Sequence, residues 1–130
     1  MGLGACTLAG PVLAVQAQKW IERARERRNR KAALFQVLMA TRANRVSSQH
    51  VEALNMIDLT FDGARRIGPK RTKREQAVLR AWREYLDHLN DHPPDENTSE
   101  AVGLQWGTRV NELFLNLLRA IAADVDYEFV

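Results

Sequence analysis

The sequence is poor in several features that mark common functional classes. Its 130 residues include one cysteine, Cys6, so an internal disulfide is excluded, and with it the class of secreted disulfide scaffolds. Its glycines form no phosphate-binding loop, so no motif supports nucleotide binding. The apolar N-terminal run, residues 3–15, would span about 20 Å as a helix, against about 30 Å for the hydrocarbon core of a bilayer. This run alone is too short to cross a membrane.

The charge of the chain is divided unequally between its two halves. Residues 1–75 hold 15 lysines and arginines against 6 acids, a net charge of +9. Residues 76–130 hold 4 against 10, a net charge of −6. The basic half is able to meet phosphate or anionic lipid, whereas the acidic half would be repelled by either. The opposite charges also favour attraction between the two halves.

An apolar segment followed by an aromatic residue and a cationic block begins the chain. Residues 3–15 carry no charge, and residues 19–31 hold seven basic side chains against Glu22 and Glu26. The three parts match hydrocarbon, interface and anionic headgroups in that order, a pattern typical of a chain that meets a bilayer surface. The alternative is an apolar N-terminus that packs on the domain or on a partner. The residues predicted to contact anionic lipid are Lys19, Trp20, Arg23, Arg27, Arg30 and Lys31.

Helical patterns predict an all-α fold, in which a long N-terminal helix packs on a small helical bundle and a short extended tail ends the chain. The first helix is expected from Pro11 to about Ala43, because proline favours a first turn and good helix formers follow it. Residues 1–31 are the predicted apolar segment and basic stalk, and residues 32–130 are the predicted helical domain. The core is expected to contain Leu38, Trp82, Phe114 and Leu117.

A short helix is expected after the first. Ser47 and Ser48 are suitable caps for its N-terminus, because a serine side chain accepts a hydrogen bond from the backbone of the first turn. Residues 57–61 alternate apolar and polar, which is compatible with a strand, but we favour the end of the short helix before the turn at Gly63. The apolar face of this helix is expected to hold His50, Val51, Leu54 and Ile57.

Two longer helices are expected in the second half of the chain. Thr72 with Glu75 three residues later is a capping box, which predicts the start of the strongest amphipathic helix. After an acidic, proline-containing linker, a residue within 97–99 is expected to cap the last helix, although Gly103 and Gly107 leave its start open. The apolar faces of these two helices are natural partners for each other.

One cluster on the predicted fourth helix has the spacing of a metal site. Glu84, His88 and His92 follow one another at intervals of four, so a helix would place two imidazoles and a carboxylate on one side. We favour the plain interpretation, in which all three are surface residues and no metal is bound, since a histidine near a helix C-terminus is favoured by the helix dipole. The sequence indicates no further ligand and no cofactor.

A second basic block lies in the predicted loop at residues 64–74. It is able to bind phosphate, from a lipid headgroup or from a nucleic-acid backbone. It has neither interleaved aromatic residues nor a recognisable reading helix, so nucleic acid is the less favoured ligand, and ordinary solvated charge is the commonest role of such a run. The candidate phosphate-binding residues are Arg65, Arg66, Lys70 and Arg71.

Several segments of the chain carry a resemblance to known proteins: LMATRA (38–43), HVEALN (50–55) with ID (57–58), AW (81–82) with YLDHLN (85–90), and the end from ELF (112–114) through YEF (127–129). With these segments the chain resembles a family of small bacterial and phage proteins classed as a domain of unknown function. The resemblance implies a membrane segment, here a transmembrane helix, followed by a basic stalk and a helical cytosolic domain, and it implies no activity. This chain differs in having a shorter apolar N-terminus and a longer, more basic loop at residues 64–74.

These observations favour a non-enzymatic, membrane-associated helical interaction module. The expected location is the cytoplasmic side of a bacterial inner membrane, because basic segments next to apolar ones stay on that side. A cytoplasmic location is the alternative. The expected partners are a membrane surface and either a second protein or another copy of the chain. The rival function is a soluble nucleic-acid or phosphate binder that uses residues 64–74.

Overall fold

The computed structural model describes residues 2–63 and 71–126, with side chains from residue 11 onward. Within these ranges the chain contains helices and no strand, which confirms the predicted all-α fold. The chain divides into two compact units, Met1–Arg30 and Lys31–Val130. Most of the predicted extended tail, residues 127–130, lies outside the described part. The helices are α1 (Gly2–Ala40), α2 (Ser48–Asn55), α3 (Ile57–Thr60), α4 (Lys73–Asn90) and α5 (Glu100–Asp124).

Helix α1 begins earlier than the sequence predicts. It starts at Gly2, and Pro11 lies inside it instead of at its first turn. A proline removes one backbone donor from a helix, and a long helix tolerates one such loss better than a short one. The helix ends at Ala40, before the predicted Ala43, because a turn follows in which the Asn44 N–H donates to the carbonyl of Thr41 at 2.9 Å.

Helix α2 begins where its cap predicts. The Ser47 side chain accepts a hydrogen bond from the backbone N–H of His50 at 3.2 Å. The chain then continues as the short helix α3, so the preference for a helix over a strand is confirmed. His50, Leu54 and Ile57 are buried as predicted, but the placement of Val51 was wrong, since this side chain is 43% exposed. Val51 is one residue beyond His50, which turns it about 100° away from the buried face.

The caps of α4 and α5 fix where both helices start. The Thr72 hydroxyl accepts from the Glu75 N–H at 3.0 Å, and the Glu75 carboxylate accepts from the Thr72 N–H at 2.9 Å. This confirms the predicted capping box. Helix α5 is capped by Ser99, one of the three predicted residues, and it continues through Gly103 and Gly107. A good cap therefore outweighs two residues that disfavour helix.

Helices α4 and α5 pack against each other in antiparallel orientation. Near the start of α4 the Arg74 guanidinium donates to the carbonyl of Ala123 at 3.0 Å, and near its end the His88 ring stacks on Trp106. The first contact also places a positive charge at the C-terminus of α5, where the helix dipole favours a cation. The acidic linker at residues 91–99 joins the two helices.

One apolar core lies in the second unit, between α4, α5, α2, α3 and the last ten residues of α1. Leu38, Trp82, Phe114 and Leu117 are all buried in it, as the sequence predicts. The Tyr85 and Phe114 rings contact each other with centroids 5.6 Å apart. The other buried apolar side chains are Leu34, Phe35, Ala53, Leu54, Ile57, Phe61, Val78, Leu79, Val110, Leu113, Leu118, Ile121 and Ala122.

Candidate functional site

Residues 11–30 of α1 form a helix whose side chains are exposed or only partly buried. Apolar side chains lie in the open: Val12 is 59% exposed, Leu13 68%, Trp20 50% and Ile21 59%. Exposed apolar side chains in succession are unusual for a helix that has no binding role, because each one leaves hydrocarbon in contact with water. This part of the helix therefore presents apolar side chains to solvent.

Four cations lie along one side of this helix. Lys19, Arg23, Arg27 and Arg30 are separated by four, four and three residues, so an α-helix places them within a sector of about 80°. Trp20 adjoins the same sector. We call these five residues the cationic stripe. The acids Glu22 and Glu26 make no ion pair with the stripe within the part of the chain that the structure describes.

Lys31 does not belong to this surface, and its prediction as a lipid contact is corrected by the structure. It is 7% exposed, and its ammonium Nζ lies 3.1 Å from Glu75 Oε2 and 2.8 Å from Asp124 Oδ2. The same ammonium lies 5.4 Å from the centroid of the Phe61 ring. The reason is helical register, because Lys31 precedes Leu34 by three residues and so continues the buried face of α1.

The candidate metal ligands on α4 do not come together in the described part of the chain. The His88 ring nitrogen Nε2 lies 3.1 Å from the carbonyl of Trp106, and the two rings stack with centroids 5.0 Å apart. The His92 side chain is 99% exposed, beyond the end of the helix. Over residues 2–63 and 71–126, no group of three His, Cys, Asp or Glu side chains has the arrangement of a metal site. Glu84 is an exposed residue of α4.

The structure describes only part of the second basic block. Arg65, Arg66 and Lys70 lie outside the described residues, so their predicted phosphate contacts stay predictions. Arg71 is described and exposed, and its guanidinium Nε donates to the backbone carbonyl of Asp62 at 3.0 Å. This bond still leaves other guanidinium N–H groups, since an arginine has five.

A buried histidine that sequence reasoning placed only on an apolar face has an unusual environment. His50 is fully buried, and its ring centroid lies 5.5 Å from that of Phe114. Its Nδ1 lies 2.8 Å from the Thr41 hydroxyl, which also donates to the carbonyl of Val37 at 2.7 Å. Its other ring nitrogen, Nε2, is buried and has no hydrogen-bond partner among the described residues. The helical spacing of His50 predicts that its side chain is buried, but it does not predict which atoms the ring contacts.

A cation lies close to this histidine. The Arg45 guanidinium is 4.4 Å from the centroid of the Phe114 ring and donates to Asn111 Oδ1 at 2.9 Å. Burial lowers the pKa of His50 below 6.5, and the charge of Arg45 lowers this pKa further. Burial raises the pKa of Tyr85, while the charge and hydrogen bond of Arg45 act in the opposite direction. The His50 ring and the Tyr85 hydroxyl are therefore both uncharged near neutral pH.

The apolar character of the N-terminal segment does not extend to a membrane span. Over residues 2–63 and 71–126, no helix is both long enough and apolar enough to cross a bilayer. The transmembrane helix implied by the family resemblance is therefore not supported.

The comparisons with known proteins identify a family but no function. No curated protein and no solved structure matches the chain. A family profile matches residues 3–130, which is nearly the whole sequence. The chain belongs to this family of unknown function, DUF6680.

Proposed function

We propose that this protein is a non-enzymatic helical interaction module that binds the surface of anionic membranes through residues 11–30. The observation that carries the proposal is the cationic stripe, which combines four cations with Trp20 and is preceded by exposed apolar residues. In this arrangement the arginines lie at the level of lipid phosphates and Trp20 lies at the interface. The helix rests on the membrane, and the bundle at residues 31–126 is the part that meets a protein partner.

The expected affinity is moderate and sensitive to salt. Each cation near an anionic leaflet contributes about 1 kcal/mol, so the four cations of the stripe contribute about 4 kcal/mol. Insertion of Trp20, Val12 and Leu13 adds an apolar contribution in proportion to the area removed from water. Screening shortens the range of the electrostatic part to about 8 Å at physiological salt. Binding of this strength is reversible.

The proposed location follows from the type of membrane. The family resemblance implies a bacterial or phage protein, and the inner face of the bacterial inner membrane is an anionic surface that favours basic segments. A peripheral helix meets this surface without crossing it. The proposed location is therefore the cytoplasmic face of that membrane.

A vesicle experiment with matched variants tests the proposal. The full chain is sedimented with vesicles of phosphatidylcholine alone or mixed with phosphatidylglycerol. We expect binding to the mixed vesicles and little to the neutral ones. Arg23→Gln, Arg27→Gln and Arg30→Gln together are expected to weaken binding roughly 100-fold, because three contributions of about 1 kcal/mol are lost. The control variant carries the same change at three exposed arginines of the bundle, Arg80, Arg83 and Arg119.

Two outcomes contradict the proposal. One is equal binding of the wild type to neutral and anionic vesicles, and the other is equal loss of binding in the stripe variant and in the control variant. A parallel titration with duplex DNA addresses the rival function. One result would favour the rival function: the chain binds DNA more tightly than anionic vesicles at the same salt concentration, and the stripe variant binds DNA as the wild type does. The basic loop at residues 64–74 would then be the better candidate for the binding site.

A further inference from the structure

Helix α2 is attached to the bundle by few side chains. It has eight residues, fewer than the roughly 12 to 15 at which an isolated helix is marginally stable, so its stability depends on packing. Its buried residues are His50, Ala53 and Leu54. His50 is the only polar side chain of these three, and its ring contacts that of Phe114 in α5. A change in the charge of one ring therefore affects a large share of this attachment.

The hydrogen bonds around His50 define which ring nitrogen carries the proton. Thr41 has one hydroxyl proton, and its oxygen lies 2.7 Å from the Val37 carbonyl and 2.8 Å from His50 Nδ1. Both bonds form when the hydroxyl donates to Val37 and accepts from an Nδ1–H group. The opposite tautomer would bury an N–H group at Nε2 without an acceptor, which is rarer in proteins than a buried acceptor without a donor. Neutral His50 is therefore protonated on Nδ1.

We propose that His50 is an acid-sensitive switch, and that protonation of its Nε2 releases α2 and the turn at residues 41–47 from α5. An added proton at Nε2 finds no acceptor, because no described residue bonds to this atom. The charged group that acts on the ring is Arg45, which repels an imidazolium. Tyr85, which contacts the same Phe114 ring as His50, is uncharged near neutral pH. Among the described residues no carboxylate is bonded to His50 to offset this repulsion.

The direction of the pH dependence follows from the pKa of His50. The attached state has a pKa below 6.5, whereas the detached state has the ordinary value of 6.5. The detached state therefore binds more protons in the interval between the two values, and the attachment weakens as the pH falls through it. Well above pH 6.5, the contribution of neutral His50 to the attachment of α2 is fully present. Within the interval, the equilibrium constant for opening rises by up to about tenfold for each pH unit.

Hydrogen exchange of the full chain, measured at about pH 7.5 and about pH 5 and corrected for intrinsic rates, tests the switch. We expect the amides of residues 48–55 to be protected at the higher pH and to lose protection at the lower pH, by up to about tenfold for each pH unit below 6.5, whereas α5 keeps its protection. The His92→Asn variant is the control, since this histidine is exposed, and it is expected to respond as the wild type does. Unchanged protection of α2 at the lower pH would overturn the proposal.

A variant that cannot titrate completes the test. His50→Asn retains an amide N–H that is able to donate to Thr41 but has no ionisable group, so the protection of α2 is expected to be independent of pH. The same pH dependence in His50→Asn as in the wild type would refute the switch. If this variant does not fold, the NMR titration of wild-type His50 decides the question, with a pKa below 6.5 and a proton on Nδ1 expected. A pKa of 6.5 or higher would contradict the proposal. None of these measurements involves lipid, so they are independent of membrane binding.

Discussion

Replacement of Lys31 by methionine is expected to destabilise the bundle strongly. The Lys31 ammonium lies between the carboxylates of Glu75 and Asp124, at 3.1 Å and 2.8 Å, where the three side chains are 9%, 1% and 8% exposed. Methionine fills a similar volume but supplies no charge. Two carboxylates from the start of α4 and the end of α5 would then remain close together, in a place from which water is largely excluded.

The magnitude follows from the cost of removing one charge from a buried ion-pair cluster. Removal of one member of a buried ion pair costs about 3 to 5 kcal/mol, because the remaining charge stays desolvated. The contact of Lys31 with the Phe61 ring is lost as well. For a domain of about 100 residues, a loss of this size lowers the melting temperature by roughly 15 to 30 °C. Such a loss is a large fraction of a total stability of about 5 to 15 kcal/mol.

Urea denaturation followed by circular dichroism measures this effect. Lys19→Met is the matched control, because the same change is made at an exposed lysine that has no ion pair among the described residues, and no measurable loss is expected there. The triple variant Lys31→Met, Glu75→Gln and Asp124→Asn removes all three charges and is expected to be more stable than Lys31→Met alone. A loss below about 1 kcal/mol in Lys31→Met, or a triple variant that is no more stable than the single one, would refute this reasoning.

Two further predictions concern the helices of the bundle. Gly103→Ala and Gly107→Ala are each expected to stabilise the bundle by about 0.5 to 1 kcal/mol in urea denaturation, since an added Cβ meets no atom within 4 Å and alanine favours helix. A loss of stability would show that one of these glycines is needed for packing. Thr72→Ala is expected to cost about 1 kcal/mol, because the first turn of α4 loses a side-chain acceptor. An unchanged urea midpoint would contradict the role of this capping box.

Local patterns in the sequence were sufficient to predict most of the fold. Ser47 and Thr72 cap helices where their neighbours indicate, because a cap depends on residues within three positions. The buried faces of α4 and α5 follow from spacing alone, since an apolar stripe on a helix must be covered. Pro11 shows the limit of this approach, because a preference for the first turn of a helix does not exclude the interior of a long one.

The contacts between distant parts of the chain could not be predicted in the same way. Lys31 looks like the last member of a solvated basic block, and only the tertiary fold brings Glu75 and Asp124 to it. His50 could be assigned to a buried face from its spacing. The absence of a hydrogen-bond partner for its Nε2 among the described residues, and the position of Arg45 near its ring, depend on the path of the turn at residues 41–47. The cationic stripe, by contrast, was visible in the sequence because it depends on the period of a single helix.

The fluorescence of Trp20 in the presence of lipid tests the central proposal most directly. The chain has three tryptophans, and Trp20 is the one that is 50% exposed, whereas Trp82 is 6% exposed. Vesicles containing phosphatidylglycerol with brominated acyl chains are expected to quench the wild type, to quench Trp20→Phe much less, and to lose this effect at high salt. If the anionic vesicles leave the wild-type emission unchanged, or quench Trp20→Phe to the same extent, then residues 11–30 do not bind the membrane surface.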